Sequence, residues 1–171
     1  MPYHVSSTQS EIQRPVSNIF ILLTLFVALL LNGLRWEGVW LAIRPDFVAV
    51  VTLYWCTYKP LRVGIGISWA VGMLADVADA SLFGQHALAY TLLGFGGVML
   101  HRRLQMFSLR QQLTQVFGIF VLTYTVYAVM QWLANGHMVW WYFIGIVTST
   151  LFWAPLSLVL QAIRQRPMDR E

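Results

Sequence analysis

The chain has 171 residues, of which 58% are hydrophobic and 11% are charged, and its formal net charge is +4. Soluble domains carry about 25% charged residues, so this composition excludes an ordinary soluble domain and indicates a membrane protein. The small and dispersed positive charge is typical of cytoplasmic flanks and argues against a nucleic-acid-binding surface. Cys56 is the single cysteine, so no internal disulfide can form.

Apolar segments alternate with short polar connections between two polar tails. The predicted elements are a cytoplasmic tail (1–15), one membrane domain (16–163) with spans at 16–34, 47–58, 62–84, 86–100, 113–134 and 143–163, and a cytoplasmic C-terminal tail (164–171). The predicted fold class is therefore an all-α integral membrane protein with six transmembrane helices. The residues 101–112 are polar and are predicted to connect the fourth and fifth spans.

The second apolar segment, 47–58, is short for a transmembrane helix. It has about 12 residues, whereas a straightforward span needs roughly 17. It can cross the bilayer if the helix begins near Val39 or if the protein thins the bilayer locally. Counting it as a span gives a strong charge asymmetry, with nine Lys or Arg residues on one side and only Arg35 and Arg44 on the other. The positive-inside rule then predicts that both termini are cytoplasmic.

The third span carries small residues at a spacing of four, which on a helix form one ridge. The members of this ridge are Gly64, Ser68, Gly72, Asp76 and Ala80. Small residues allow close approach of another helix in a membrane, so we expect this ridge to face protein and this helix to be the centre of the fold. The opposite side is expected to face lipid, and its residues are Ile67, Val71, Leu74 and Val77.

Two later spans also contain residues with a structural meaning. Gly94, Gly96 and Gly97 predict a second close-approach surface on the fourth span. Pro155 lies within the sixth span and is expected to kink it, because proline removes one backbone hydrogen bond.

No known catalytic or metal-binding motif is present. The sequence lacks a phosphate-binding glycine loop, a zinc-protease motif, a nucleophile elbow and a cysteine pair. His4, His86, His101 and His137 are scattered without ligand spacing, and each is interpreted as an interfacial or turn residue.

The carboxylates of the third span allow two interpretations. Asp76 and Asp79 lie three residues apart and could form an acid–base pair or an ion path. Alternatively, Asp76 caps or bonds a neighbouring helix while Asp79 lies at the water boundary. If Asp76 acts through hydrogen bonds, Asp76→Asn is expected to keep most function, whereas an ion pair or proton transfer would not tolerate Asn. Arg44 and Asp46 are either a solvated loop pair or a partner contact.

Three stretches resemble the rod shape-determining membrane protein MreD family. They are RPDFVAVVTLYW (44–55), LRVGIG (61–66) and GMLADVADASLFGQHAL (72–88). The matching positions are Arg44, Pro45, Tyr54, Trp55, Arg62, Gly64, Gly66, Gly72, Asp76 and Gly84, with Trp153, Pro155 and Arg164 near the C-terminus. Ser68 joins them as a member of the ridge. An Asn in place of Asp46 would fit the resemblance equally well.

The resemblance implies a multi-pass protein of the bacterial inner membrane with no known enzymatic activity and no cofactor. It implies a place in the cell-elongation machinery of peptidoglycan synthesis, with MreC as the direct partner and with MreB, RodA, its cognate transpeptidase and RodZ in the same assembly. It also implies a fold similar to the six-helix substrate-binding subunits of energy-coupling-factor transporters. A ligand-capturing transporter subunit is therefore the alternative function, and an intramembrane enzyme is disfavoured because no nucleophile–base set is present.

Overall fold

A computed structural model describes residues 17–34, 38, 43–79, 84–136 and 141–165, and the regular secondary structure of this part of the chain is α-helix. Its six helices are α1 (Asn18–Gly33), α2 (Phe47–Tyr58), α3 (Ile65–Ala78), α4 (Gln85–Met106), α5 (Leu109–Asn135) and α6 (Trp141–Gln165). The aromatic connection 35–42, except Gly38, and the two predicted tails, apart from the last helical residues of α6, lie outside the described residues, as does Ala80 of the ridge.

The helices differ from the predicted segments mainly between α4 and α5. The polar stretch 101–112 is helical except at Phe107 and Ser108. Ser108 and Gln111 form a capping box that starts α5 immediately after α4 ends. Polar residues at the water boundary can continue a helix as well as apolar residues do. Hydropathy alone therefore placed the end of α4 too early and the start of α5 too late.

The centre of the fold is α2, and the expectation that the third span is central is wrong. Ten of the twelve α2 residues are buried, and α2 contacts α1, α3, α4 and α6. A helix that is apolar all round is stable only when it is enclosed. At 1.5 Å per residue, α2 is about 18 Å long, and its neighbours rather than lipid surround it.

The ends of the helices are fixed by side-chain hydrogen bonds, which define two faces of the bundle. At one end, Gln105 Nε2 of α4 donates to the Thr57 carbonyl of α2 at 2.7 Å, and Gln161 Nε2 of α6 donates to Tyr58 Oη at 2.6 Å. We call this the basic end, because Lys59 and Arg62 lie in the turn that follows α2. The opposite end, where α2 and α4 begin, is called the carboxylate end.

An aromatic cluster packs α2 against α1 and α6 near the basic end. Trp55 Nε1 donates to Thr24 Oγ1 at 2.9 Å, and the ring of Tyr54 lies 6.2 Å from that of Trp153. Trp153 Nε1 in turn donates to Gln112 Oε1 of α5 at 3.4 Å. Tyr54, Trp55 and Trp153 are all at most 1% exposed, so these residues of the resemblance are core residues.

The outside of the bundle is apolar. Large hydrophobic side chains are more than half exposed on several helices, including Ile19, Leu22, Phe26, Leu74, Val77, Leu133, Leu151 and Val159. Leu109–Ala134 and Phe143–Ile163 are long and apolar enough to cross a membrane, while α1, α2 and α3 are shorter apolar helices. An apolar exterior of this extent is consistent with a membrane protein.

Candidate functional site

Asp76, in the last turn of α3, caps the start of α4. Its Oδ2 accepts hydrogen bonds from the backbone N–H groups of Gly84 at 2.9 Å and Ala87 at 3.2 Å. Its Oδ1 accepts from the backbone N–H of His86 at 2.8 Å. The first N–H groups of a helix have no partner within the helix, and the N-cap residue Gly84 has no side chain to supply one. A carboxylate from α3 therefore takes this role, and the helix dipole favours its negative charge.

The chain reaches this geometry because Gly84 adopts a left-handed conformation, with φ of 98°. Only glycine takes this conformation without strain. The left-handed turn at Gly84 directs the first N–H groups of α4 toward Asp76, which is only 2% exposed. The interpretation of Asp76 as a helix cap is thus the one that the geometry supports.

His86 lies between the two carboxylates. Its Nδ1 is 2.9 Å from Asp76 Oδ1, and its Nε2 is 3.7 Å from Asp79 Oδ2. The Asp79 side chain is 23% exposed, and Asp79 directly follows the last residue of α3, where its backbone N–H bonds the Ala75 carbonyl. Asp79 therefore lies at the boundary of the bundle, while Asp76 is internal.

The ridge of α3 packs directly on α4. A Cβ atom at Gly72 would lie 2.5 Å from the Cα of Ala87 and 2.5 Å from the carbonyl oxygen of His86. Ser68 is fully buried and lies beneath Gly94, where an added Cβ would be 2.4 Å from Ser68 Oγ. The backbones of α3 and α4 therefore meet at glycine on both sides, as small-residue packing requires.

Gly72→Ala is expected to destabilise the protein by about 1–3 kcal/mol, the usual penalty for overpacking, because the backbone atoms around the new Cβ cannot rotate away. Gly72→Leu should be worse. Thermal unfolding in detergent and the amount in the membrane measure the effect. Gly66→Ala is the matched control, because a Cβ at Gly66 would meet nothing within 4 Å. Equal stability of the two alanine variants would contradict the packing.

Val71 is not a suitable control, although the sequence predicted that it faces lipid. It is only 6% exposed, whereas Leu74 and Val77 of the same helix are 57% and 68% exposed. The helix is covered over a wider arc than the ridge alone suggests, because α1 and α2 also contact α3. The prediction that Val71 faces lipid is therefore wrong.

Asp46 lies at the centre of a second buried hydrogen-bond network, at the carboxylate end. It is the N-cap of α2, where its Oδ1 accepts from the Ala49 N–H at 3.0 Å. The hydroxyl of Tyr90 donates to Asp46 Oδ1 at 2.8 Å, and that of Tyr127 donates to Asp46 Oδ2 at 3.2 Å. Asn32 Nδ2 donates to Asp46 Oδ1 at 3.1 Å. One carboxylate thereby joins α1, α2, α4 and α5.

The network continues into α6 and toward α3. The Asp46 backbone N–H donates to Ser149 Oγ of α6 at 3.0 Å, and Ser149 Oγ is 3.1 Å from Tyr124 Oη. The ring of His86, which Asp76 holds, lies 5.0 Å from the ring of Tyr127. All helices of the described chain thus meet in two adjoining polar clusters, centred on Asp46 and Asp76.

The interpretation of Arg44 and Asp46 as a solvated loop pair is wrong. Asp46 is 8% exposed, and its carboxylate bonds tyrosine and asparagine side chains. Arg44 is half-buried, and its Nη1 donates to the backbone carbonyl of Asn32 at 2.6 Å. Pro45, also half-buried, separates the two.

The other residues of the resemblance serve the ends and the middle of the bundle. Arg62 Nη1 donates to Asn18 Oδ1 at 2.9 Å across to α1. The Gly64 carbonyl accepts a hydrogen bond from Ser68 Oγ at 3.1 Å. Pro155 lies inside α6 on an exposed side, and the helix runs on to Gln165.

Sequence reasoning did not identify six members of the two clusters as site residues. These are Asn32, His86, Tyr90, Tyr124, Tyr127 and Ser149. Their shared signal is a polar group within an apolar segment, because such groups must be paired when they are buried. The partners lie up to 103 positions apart in sequence, so pairing was not predictable from local spacing. Within the described residues, no group of three or more His, Cys, Asp or Glu could hold a metal ion.

The family model of rod shape-determining protein MreD matches residues 13–163. The rod shape-determining protein MreD of Haemophilus influenzae is 26% identical over 151 residues, which cover 86% of this chain and 92% of that protein. No solved structure matches significantly, so the predicted likeness to transporter subunits stays a prediction.

Proposed function

We propose that this chain, which belongs to the MreD family of rod shape-determining proteins, is a membrane scaffold of the machinery that elongates rod-shaped cells. Members of this family are described as proteins that determine the rod shape of cells. In this proposal the chain crosses the bacterial inner membrane six times, binds MreC directly, and helps to couple MreB filaments to peptidoglycan synthesis. RodA, its cognate transpeptidase and RodZ belong to the same assembly.

The single observation that carries this proposal is that the buried carboxylates form hydrogen bonds within the bundle. Asp76 accepts backbone N–H groups of α4 with both oxygens, and Asp46 accepts tyrosine hydroxyls from α4 and α5. These bonds fix the arrangement of the helices. The exposed surface is apolar on its sides, so contact with apolar partner helices is the interaction that this exterior supports best.

A ligand-capturing transporter subunit would need free polar groups facing a pocket. The polar residues available for that role include Asp76, Asp79 and Gln85. In the described structure Asp76 caps α4, and Gln85 is 5% exposed at the first position of that helix. The two clusters therefore favour a structural role for these residues over ligand capture.

The test is purification of the tagged chain in mild detergent from a rod-shaped host that makes MreC at native level. Recovery of MreC supports the scaffold, and recovery of an ATPase module without MreC would overturn it in favour of the transporter. Depletion of the chain in the same host should make the cells round. Cells that keep their rod shape and width after depletion would also contradict the proposal.

The proposed topology predicts the behaviour of reporter fusions. A reporter that is active only in the cytoplasm should be active when fused after Arg170 and silent when inserted at Asn135-Gly136. The reason is the distribution of Lys and Arg residues, nine against two, together with the positive-inside rule. Activity at Gly136 combined with silence at the C-terminus would reject both the six-span arrangement and the cytoplasmic termini.

A further inference from the structure

Positive side chains collect at the basic end of the bundle. The described cations of this end are Lys59, Arg62, Arg102, Arg103 and Arg110, and the four arginines are exposed. Among the described residues, all three carboxylates, Asp46, Asp76 and Asp79, lie at the carboxylate end. Within the described ranges, no ion pair involves Arg102, Arg103 or Arg110 around the α4–α5 turn.

The turn between α4 and α5 has an unusual electrostatic arrangement. α5 has no acidic residue in its first turn, and Arg110 occupies the second position of that helix. A cation is unfavourable there, because the N-terminus of a helix already carries partial positive charge. Arg103 lies in the last turn of α4, seven positions before Arg110 in the sequence. An external anion would relieve this concentration of positive charge.

The arginines of this end alternate with exposed apolar side chains. Leu61 in the α2–α3 turn is 101% exposed, and Met106 at the end of α4 is 81% exposed. Phe107 and Leu109 of the α4–α5 turn are also exposed, at 37% and 39%. Cations interleaved with apolar side chains fit the bilayer interface, where apolar groups enter the acyl boundary while cations bind headgroups.

We propose that the basic end binds the phosphate groups of acidic phospholipids, with Arg103 and Arg110 at the α4–α5 turn as the main contacts. Leu61 and Met106 extend toward the acyl chains beside those headgroups. An acidic protein would match the charge of this end but would offer no acyl layer for the two exposed side chains. This binding concerns the lipid around the chain and does not depend on MreC.

The experiment uses the full chain reconstituted in phosphatidylcholine vesicles with a trace of spin-labelled lipid. The fraction of motionally restricted label gives the relative association constant of phosphatidylglycerol over phosphatidylcholine. The wild-type chain should prefer phosphatidylglycerol, and the preference should fall as ionic strength rises from 0.1 M to 1 M, because the screening length shortens from about 10 Å to about 3 Å. Arg103→Gln combined with Arg110→Gln should lower the preference at least about fivefold.

The matched control is Arg103→Lys combined with Arg110→Lys, which keeps the charge and should keep most of the preference. A wild-type chain without selectivity for phosphatidylglycerol would overturn the proposal and favour an acidic protein as the partner of this end. Unchanged selectivity in the glutamine variant would overturn the assignment to the α4–α5 turn. If the glutamine variant does not fold, the salt dependence of the wild-type chain decides whether the basic end binds phosphatidylglycerol through charge. MreC recovery tests the scaffold separately.

Discussion

Asp76→Leu is expected to abolish function, because it removes the cap that joins α3 to α4. The carboxylate accepts hydrogen bonds from three backbone N–H groups, and its Oδ1 lies 2.9 Å from His86 Nδ1. A leucine leaves the N–H groups of Gly84, His86 and Ala87 without this partner. Each buried donor left unpaired costs about 1–3 kcal/mol, so the loss of stability should be about 3 kcal/mol or more. Rescue of rod shape in a depleted host, at matched membrane levels, measures the result.

Asp76→Asn distinguishes this cap from a simpler hydrogen bond. The sequence alone predicted that an amide would keep most function if Asp76 acts through hydrogen bonds. The structure changes this expectation, because each carboxylate oxygen faces at least one backbone N–H group, which cannot accept a hydrogen bond. An amide group has only one acceptor oxygen, so its NH₂ must face either the N–H of His86 or those of Gly84 and Ala87. We therefore expect Asp76→Asn to be clearly impaired, although less than Leu.

The control for the Asp76 variants is Asp79→Asn. Asp79 lies three residues after Asp76, its Oδ2 is 3.7 Å from His86 Nε2, and its own backbone N–H bonds the Ala75 carbonyl. This substitution should change thermal stability little. If Asp76→Leu restores rod shape as well as Asp79→Asn does, the cap has no functional importance.

Asp46 should respond in the opposite way to amide substitution. Asp46→Ala should lower stability by about 3–5 kcal/mol, in the range for loss of one member of a buried charged or hydrogen-bonded group. It removes the N-cap of α2 and the shared acceptor of Tyr90 and Tyr127. Asp46→Asn should be mild, because tyrosine hydroxyls can accept as well as donate and Oδ1 still caps Ala49.

The measurement for Asp46 is thermal unfolding of the purified variants in detergent, followed by rod-shape rescue. Tyr127→Phe is the companion variant, since it removes a single hydroxyl contact of 3.2 Å and should lower stability by about 1 kcal/mol. A severe defect in Asp46→Asn would show that the negative charge itself is required. Wild-type stability in Asp46→Ala would show that the network contributes nothing to holding the helices.

The positions of the helices were largely predictable from the sequence, because hydropathy is a local property. All six helices in the described chain overlap the predicted apolar segments. The close approach of another helix to α3 followed from the spacing of Gly72 and its neighbours, since small residues at helical spacing admit another backbone, but the sequence did not show that this helix is α4. The ends of α4 and α5 were not predictable, because polar residues near Ser108 form helix as readily as apolar ones.

The central place of α2 was not predictable, for a physical reason. An all-apolar segment of 12 residues looks the same whether lipid or protein surrounds it. Only the positions of α1, α3, α4 and α6 around it decide that it is the core. Likewise, the exposure of Leu74 and the burial of Val71 depend on which neighbours cover α3, and not on the residues themselves.

The sequence by itself determined the class of protein, the helical segments and the need for Asp76 to find a partner, because composition, periodicity and desolvation act on each segment separately. Only the tertiary structure decided which partner each polar group found. Asp46 meets Tyr90 and Tyr127 across 44 and 81 positions, and Asp76 meets α4 through a left-handed turn at Gly84. Such contacts depend on the packing of several helices at once, since a hydrogen bond forms only where the fold brings its donor and acceptor together.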